Sequence, residues 1–225
     1  GGFAGLKGKN VGVVVNHTSV DQHGNHLIKL VHTNGVNIIA VFTPEHGFEG
    51  VASAGEKVEN GFETLTGAPI YSLYGKTKKP TSNMLEGMDV LVFDMQDIGV
   101  RYYTYLSTLT YIMETAAENN ISLWIFDRVN PLGREVQGSV LDMQFASFVG
   151  MHPIPVRHGM TLGELAQMIN GEGWLTNGFI PDLSVIKYKG KIDEKVRAWV
   201  FNPPPSPNIP NLETAWLYQG LCLLE

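Results

Sequence analysis

Short runs of β-branched and other apolar residues recur along the chain: Val11 to Val15, Val36 to Phe42, Asp89 to Phe93, Ser122 to Phe126 and Leu183 to Ile186. Each is continuous rather than alternating, the pattern of a strand buried on both faces of a parallel sheet. Between these runs the apolar spacing becomes helical. Leu27, Leu30 and Val31 share one face, and Leu106, Leu109, Ile112, Met113 and Ala116 form a longer stripe that Asn119-Asn120 is placed to stop. Thr161-Leu162-Gly163-Glu164 has the form of a capping box opening a third helix, with Leu162, Leu165, Ala166 and Ile169 at core spacing. Strand, helix, strand is the rhythm of a doubly wound fold. The expected class is therefore α/β: Rossmann-like, a mostly parallel sheet with helices on both faces.

Asn202 to Pro210 breaks this rhythm with Asn-Pro-Pro-Pro-Ser-Pro-Asn-Ile-Pro. Proline removes backbone donors and restricts φ, so the stretch is expected to be an ordered loop or an extended linker. The organisation read from the chain is a Rossmann-like domain over residues 1–200 and a Pro-rich segment over 201–225.

Composition narrows the partners. With 225 residues, 44% hydrophobic and 17% charged, the chain can bury one sizeable core. A net charge of -6 with no long basic run argues against a nucleic-acid partner, which needs clustered Lys and Arg. Cys222 is the only cysteine, so there is no internal disulfide and no Cys-x-x-Cys pair. No apolar stretch approaches the roughly 20 residues of a spanning helix. The N-terminus lacks the basic and apolar regions of a signal peptide, and its abrupt start at Gly1 is compatible with a leader already removed.

Ligands of open parallel sheets bind beyond the carboxyl ends of the strands. The residues there are conspicuously polar: Asn16-His17-Thr18, Glu45-His46, Asp94-Met95-Gln96-Asp97 and Asp127-Arg128-Val129-Asn130. Singly, such residues cap helices and satisfy loop backbone in most α/β proteins. Several carboxylates converging on one rim fit a site better than capping.

Several chemistries lack their signatures. The turn after the first run has no Gly-x-Gly-x-x-Gly for a dinucleotide, and Gly50-Val51-Ala52-Ser53-Ala54-Gly55 is followed by Glu56-Lys57 where a P-loop needs Lys-Ser/Thr. There is neither a Gly-x-Ser-x-Gly elbow nor a His-Glu-x-x-His helix. His46, Asp94, Asp97 and His158 are types that a divalent cation accepts, but no local spacing supports a metal site, and neither metal nor cofactor is expected. His17, His23, His26 and His32 fall around the first helix and read as surface or capping residues. What remains is carboxylate chemistry with tyrosines nearby, since Arg101-Tyr102-Tyr103-Thr104-Tyr105 follows Asp94 and Asp97. Glycoside cleavage needs this inventory: one carboxylic acid protonates the leaving oxygen while a second group stabilises or attacks the cationic sugar centre.

Longer blocks carry a family likeness. Phe42-Thr43-Pro44-Glu45-His46-Gly47-Phe48-Glu49-Gly50, Tyr71-Ser72-Leu73-Tyr74-Gly75, Asp94 to Tyr105 and Asp127-Arg128-Val129-Asn130-Pro131 resemble successive blocks of the NamZ-type exo-β-N-acetylmuramidases. Ser147-Phe148-Val149-Gly150, Pro155-Val156-Arg157-His158-Gly159-Met160-Thr161 and Pro205-Ser206-Pro207-Asn208 continue the match in the same order. Val129 departs from the usual proline of its block, and Gln219 stands where Tyr-Pro-Gly is usual.

The resemblance implies a bacterial cell-wall glycosidase that releases N-acetylmuramic acid from the non-reducing end of peptidoglycan fragments, outside the cytoplasm. It also implies an auxiliary domain beyond Leu223-Leu224-Glu225 that completes the cleft. Glu45 corresponds to the family's proposed catalytic residue. On this reading Glu45 is the acid, its protonated form favoured by the apolar neighbours Phe42 and Phe48, and His46 orients it or completes the proton path. Asp94 or Asp97 acts as nucleophile or base, or holds the substrate's acetamido group. Arg101 or Arg128 binds the lactyl carboxylate, since a guanidinium pairs bidentately with one. Asn16, Gln96, Tyr103, Asp127, Asn130, His158 and Asn208 complete the expected sugar-binding set. Two other classes stay open at this point: a non-catalytic muropeptide-binding module, and a hydrolase of a different cell-wall bond with Glu45 as base.

Overall fold

The computed structural model describes residues 3–45, 47–48, 61–75, 77–190 and 192–222. His46, the glycine-rich stretch 50–57 and the terminal residues 223–225 lie outside the described residues. The described strands are β1 (Asn10–Val15), β2 (Asn37–Thr43), β3 (Gly61–Phe62), β4 (Pro69–Ser72), β5 (Val90–Asp94), β6 (Ser122–Phe126), β7 (Gln137–Val140), β8 (Pro155–Arg157) and β9 (Leu183–Ile186). The α-helices are α1 (Leu27–Thr33), α2 (Tyr105–Glu118), α3 (Leu162–Gly171), α4 (Glu194–Trp199) and α5 (Leu212–Leu221).

All five apolar runs are strands of one sheet, ordered β3-β4-β2-β1-β5-β6-β9. Every pairing in it is parallel except β3 on β4. Without the edge strand β3 this is the Rossmann order, with its reversal between β1 and β5. The runs are continuous because both faces are covered. Val11, Val13 and Val15 join Val41, Val90 and Val92 in a core with Leu27, Ile28 and Val31 of α1. Val14, Phe42, Leu91, Phe93, Leu123 and Ile125 face the other way, into a core with α2 and α3.

The helix signals hold at residue level. Asn119 caps α2, and Asn120 turns the chain at φ 54°. Thr161 Oγ1 accepts from Glu164 N at 3.2 Å, and Glu164 Oε2 accepts from Thr161 N at 2.9 Å, the reciprocal capping box. Thr161→Ala is expected to lower stability by about 1–2 kcal/mol. A denaturant midpoint that does not fall would show that the box contributes nothing.

The Pro-rich stretch is an ordered loop laid on the domain. Ser206 and Ile209 are buried, and the Pro205 carbonyl accepts from both Tyr103 Oη and Tyr105 Oη at 3.0 Å. Beyond it, α5 rests Tyr218 edge-on against Tyr102, and Arg157 lies over the Trp216 ring. Among the described residues no helix is long and apolar enough to cross a membrane.

Candidate active site

The order reversal puts the crevice at the C-terminal ends of β1 and β5. The loops there are stitched together by buried side chains. Asn16 Oδ1 accepts from Thr18 N at 3.0 Å and Thr18 Oγ1 at 2.6 Å, and Asn16 Nδ2 donates to Tyr105 Oη at 2.7 Å. Thr18 Oγ1 accepts from Gln96 N at 3.0 Å, and the Ser19 hydroxyl donates to the Asp94 carbonyl.

Glu45 follows β2 on the same edge and is half-buried. Its Oε2 accepts from Thr104 Oγ1, at the entrance to α2, at 3.3 Å. The adjacent Tyr105 phenol is pushed up by burial, and the negative charges of Glu45 and Asp97 add to that shift. Tyr105 therefore stays a hydrogen-bond donor to Pro205. A separate chain of bonds runs from Tyr105 through Asn16 and Thr18 to Gln96.

Asp94, at the tip of β5, is gripped by Arg128: Nε lies 2.5 Å from Oδ1 and Nη2 lies 3.0 Å from Oδ2. Nη2 also donates to the Val20 carbonyl at 3.2 Å. This charge-assisted, bidentate pair has fixed geometry. Both residues line a cleft of about 720 Å³, closed on its other sides by Leu27 and Leu30 of α1, Phe126, Tyr188 and Trp199. Its size suits a small organic ligand, and apolar walls with a few charged groups are the usual lining. Lys195, Asp21 and His23 also reach it.

The remaining sequence-derived residues have other employment. Asp127 lines the cleft, but its oxygens accept from Thr161 Oγ1 at 2.7 Å and Gly163 N at 2.8 Å, which makes it a cap for α3. Burial pushes its carboxyl up against those bonds. Gln96 donates to the carbonyls of Asp97 at 2.7 Å and Val129 at 3.0 Å. Asn130 donates to the Met160 carbonyl at 2.9 Å and accepts from Leu132 N at 2.9 Å. It also abuts Gly99, whose φ of +92° and lack of a Cβ permit the contact. Arg101 Nη1 donates to the carbonyls of Ser139 at 2.8 Å and Ile154 at 2.7 Å, so its guanidinium holds the β7–β8 hairpin. Tyr103 is buried on Pro205, and Asn208 is exposed on the Pro-rich loop. Asp97 and His158 are buried 3.9 Å apart.

Asp94, Gln96, Asp127 and Arg128 thus line the cleft, Glu45 lies on the same sheet edge outside that lining, and Asn16, Tyr103 and Asn130 are buried among the supporting loops. Among the described residues no three His, Cys, Asp or Glu side chains converge as a cation would need. His26 caps α1 through its ring and His32 is exposed, as their positions suggested. His17 is instead half-buried, its Nε2 at 2.8 Å from the Pro204 carbonyl. Thr104, Ser19 and Tyr105 were not singled out by the strand-end rule. Thr104 lies 59 positions from Glu45 and Tyr105 lies 89 from Asn16, and no local pattern announces such pairs.

A Rossmann-like domain with a carboxylate rim at its topological switch point is the class that fold and site define. Within that class, the chain belongs to the family described as Exo-beta-N-acetylmuramidase NamZ, N-terminal, which it matches over residues 11–213. It is 43% identical over 225 residues to the peptidoglycan beta-N-acetylmuramidase NamZ of Bacillus subtilis strain 168, a match covering 98% of this chain and 53% of that protein. Crystal structures of two DUF1343 family proteins of Bacteroides fragilis NCTC 9343 are also similar. One has a TM-score of 0.87 at 42% identity, covering 99% of this chain and 56% of that one. The other has a TM-score of 0.84 at 39% identity, covering 98% and 58%. The chain spans about half the length of these relatives.

Proposed function

We propose that the whole protein is a glycoside hydrolase that releases N-acetylmuramic acid from the non-reducing end of peptidoglycan fragments, with Glu45 as general acid. The observation that carries this reading is the half-buried Glu45 carboxyl at the C-terminal end of β2, oriented by Thr104, in a chain of this family. Protonating the glycosidic oxygen needs a carboxylic acid held in one direction, and the Thr104 hydroxyl supplies that orientation. Asp94 is the second carboxylate: it lines the cleft, whereas Asp97 lies outside that lining and Asp127 is occupied as a cap. Held by Arg128, Asp94 presents negative charge to the cationic sugar centre or to the substrate's acetamido group. The other half of the relatives' length is read as an auxiliary domain that covers the crevice, and the substrate places the protein outside the cytoplasm.

The deciding experiment gives the full-length protein a defined disaccharide of N-acetylmuramic acid linked to N-acetylglucosamine. Both free sugars are expected as products. Loss of an acetyl, lactyl or amide group with the disaccharide left intact would sink the reading.

A further inference from the structure

Asp97 and His158 are buried, and Asp97 Oδ1 and His158 Nε2 have no hydrogen-bond partner among the described residues. The two side chains face one another, His158 Nε2 lying 3.9 Å from Asp97 Oδ2. Buried polar atoms are rarely left without a partner, so their juxtaposition asks for a role. His158 Nδ1 accepts from Met160 N at 3.3 Å, which leaves the proton of the neutral ring on Nε2, toward Asp97.

Both residues flank one junction. Val100 bridges Arg157 antiparallel, and Arg101 N donates to the Val156 carbonyl at 2.8 Å. Asp97 precedes this junction and His158 follows it directly. Asp97 Oδ2 accepts from Gly99 N at 2.7 Å, shaping the turn into the junction. Past it, Tyr103 N reaches back to the Val100 carbonyl at 3.1 Å, and Thr104 donates to Glu45.

We propose that Asp97 and His158 are a buried positioning pair that clamps segment 97–104 onto β8 and thereby sets the Thr104 donor against Glu45. Only its catalytic consequence rests on the glycosidase reading. While both side chains are neutral, little holds them across the gap. Ionised Asp97 draws the Nε2–H inward and strengthens its bond to Gly99 N, so the clamp closes as pH rises. Tyr103 and Tyr105, at the start of α2, feel the Asp97 charge but stay neutral, because burial pushes both phenols up. Arg128, after β6, lines the same small cavity as Asp97 and is committed to Asp94.

Burial pushes the Asp97 carboxyl up to about 7 and the His158 imidazole down to about 4. Near neutrality the pair therefore titrates as a unit through Asp97. A raised carboxyl adds stability that is complete below the ordinary carboxylate range and is lost as pH rises through about 7. Closure offsets only part of the cost of burying the charge.

The test is a pH titration by backbone and imidazole NMR, from about pH 5 to about pH 8, a range that brackets the raised carboxyl value. In wild type, the amides of Gly99 and Thr104 and the His158 ring should move with one shared midpoint. In Asp97→Asn all three should stay flat, and the Tm of the variant should gain on wild type as pH rises. In His158→Phe, Gly99 should still titrate while Thr104 no longer follows. For turnover, kcat should carry the shared midpoint with KM unmoved, and Asp97→Asn should remove that inflection.

A Thr104 amide that stays still in wild type, or that follows unchanged in His158→Phe, overturns the clamp. So does a kcat profile that is the same in wild type and Asp97→Asn. A protein that shows the shared titration and cleaves no glycoside loses the glycosidase reading and keeps the clamp.

Discussion

Glu45→Gln in the full-length protein should lower kcat for release of N-acetylmuramic acid by about 10²–10⁴-fold, the usual contribution of a general acid. Glutamine keeps the shape of the side chain and can still accept from Thr104 Oγ1, so the fold and the approach of the substrate should survive. What it lacks is a transferable proton. An aryl glycoside with a good leaving group needs little protonation, and its turnover should fall far less than that of the natural disaccharide. Equal losses on both substrates would move Glu45 from acid to another role, and undiminished turnover would remove it from the chemistry. If wild type and variant bind the sugar equally and neither releases product, the domain is a binding module.

The largest effect on stability should come from Arg128→Leu. The Asp94 side chain is 5% exposed and that of Arg128 is 17% exposed, with both carboxylate oxygens on the guanidinium. Removing one member of such a pair strands the other charge in a poorly solvated place, which costs about 3–5 kcal/mol. The urea midpoint should fall accordingly. Adding Asp94→Leu to Arg128→Leu should recover much of the loss, because an apolar pair carries no stranded charge. If the double variant is no better than the single one, the pair's worth lies in packing rather than in charge.

The central sheet was legible because its strands are buried on both faces and so are written as unbroken Val, Ile and Phe. β4 escaped that reading because Pro69-Ile70-Tyr71-Ser72 opens on a proline and carries no run of β-branched residues. β7 and β8 escaped for a related reason: Gln137-Gly138-Ser139-Val140 is exposed along its length, so nothing in the pattern marks a buried face. α5 carries Trp216, Leu217 and Leu221 outward and buries only Ala215, so its apolar residues form no stripe.

At the site, the strand-end rule located the edge and could not rank the residues on it. Asp94 and Asp127 look alike in sequence, each closing an apolar run, yet one is held by an arginine and the other caps a helix. That difference is made by partners 34 and 36 positions away, and only the folded backbone brings them within reach. Arg101 and Arg128 were equally matched in sequence as receptors for a lactyl carboxylate, yet Arg101 Nη1 donates to two carbonyls of the β7–β8 region while Arg128 grips Asp94.

The meeting of Tyr103 and Tyr105 on the Pro205 carbonyl also bears on how the protein can be cut. A fragment ended at residue 200 would remove the carbonyl acceptor that both phenols share. It would also bare the surface that Ile209 and Ala215 cover. The smallest fragment suited to recombinant expression therefore runs through α5. To a protease the run of prolines is a sewn seam rather than a tether, and limited digestion should spare it.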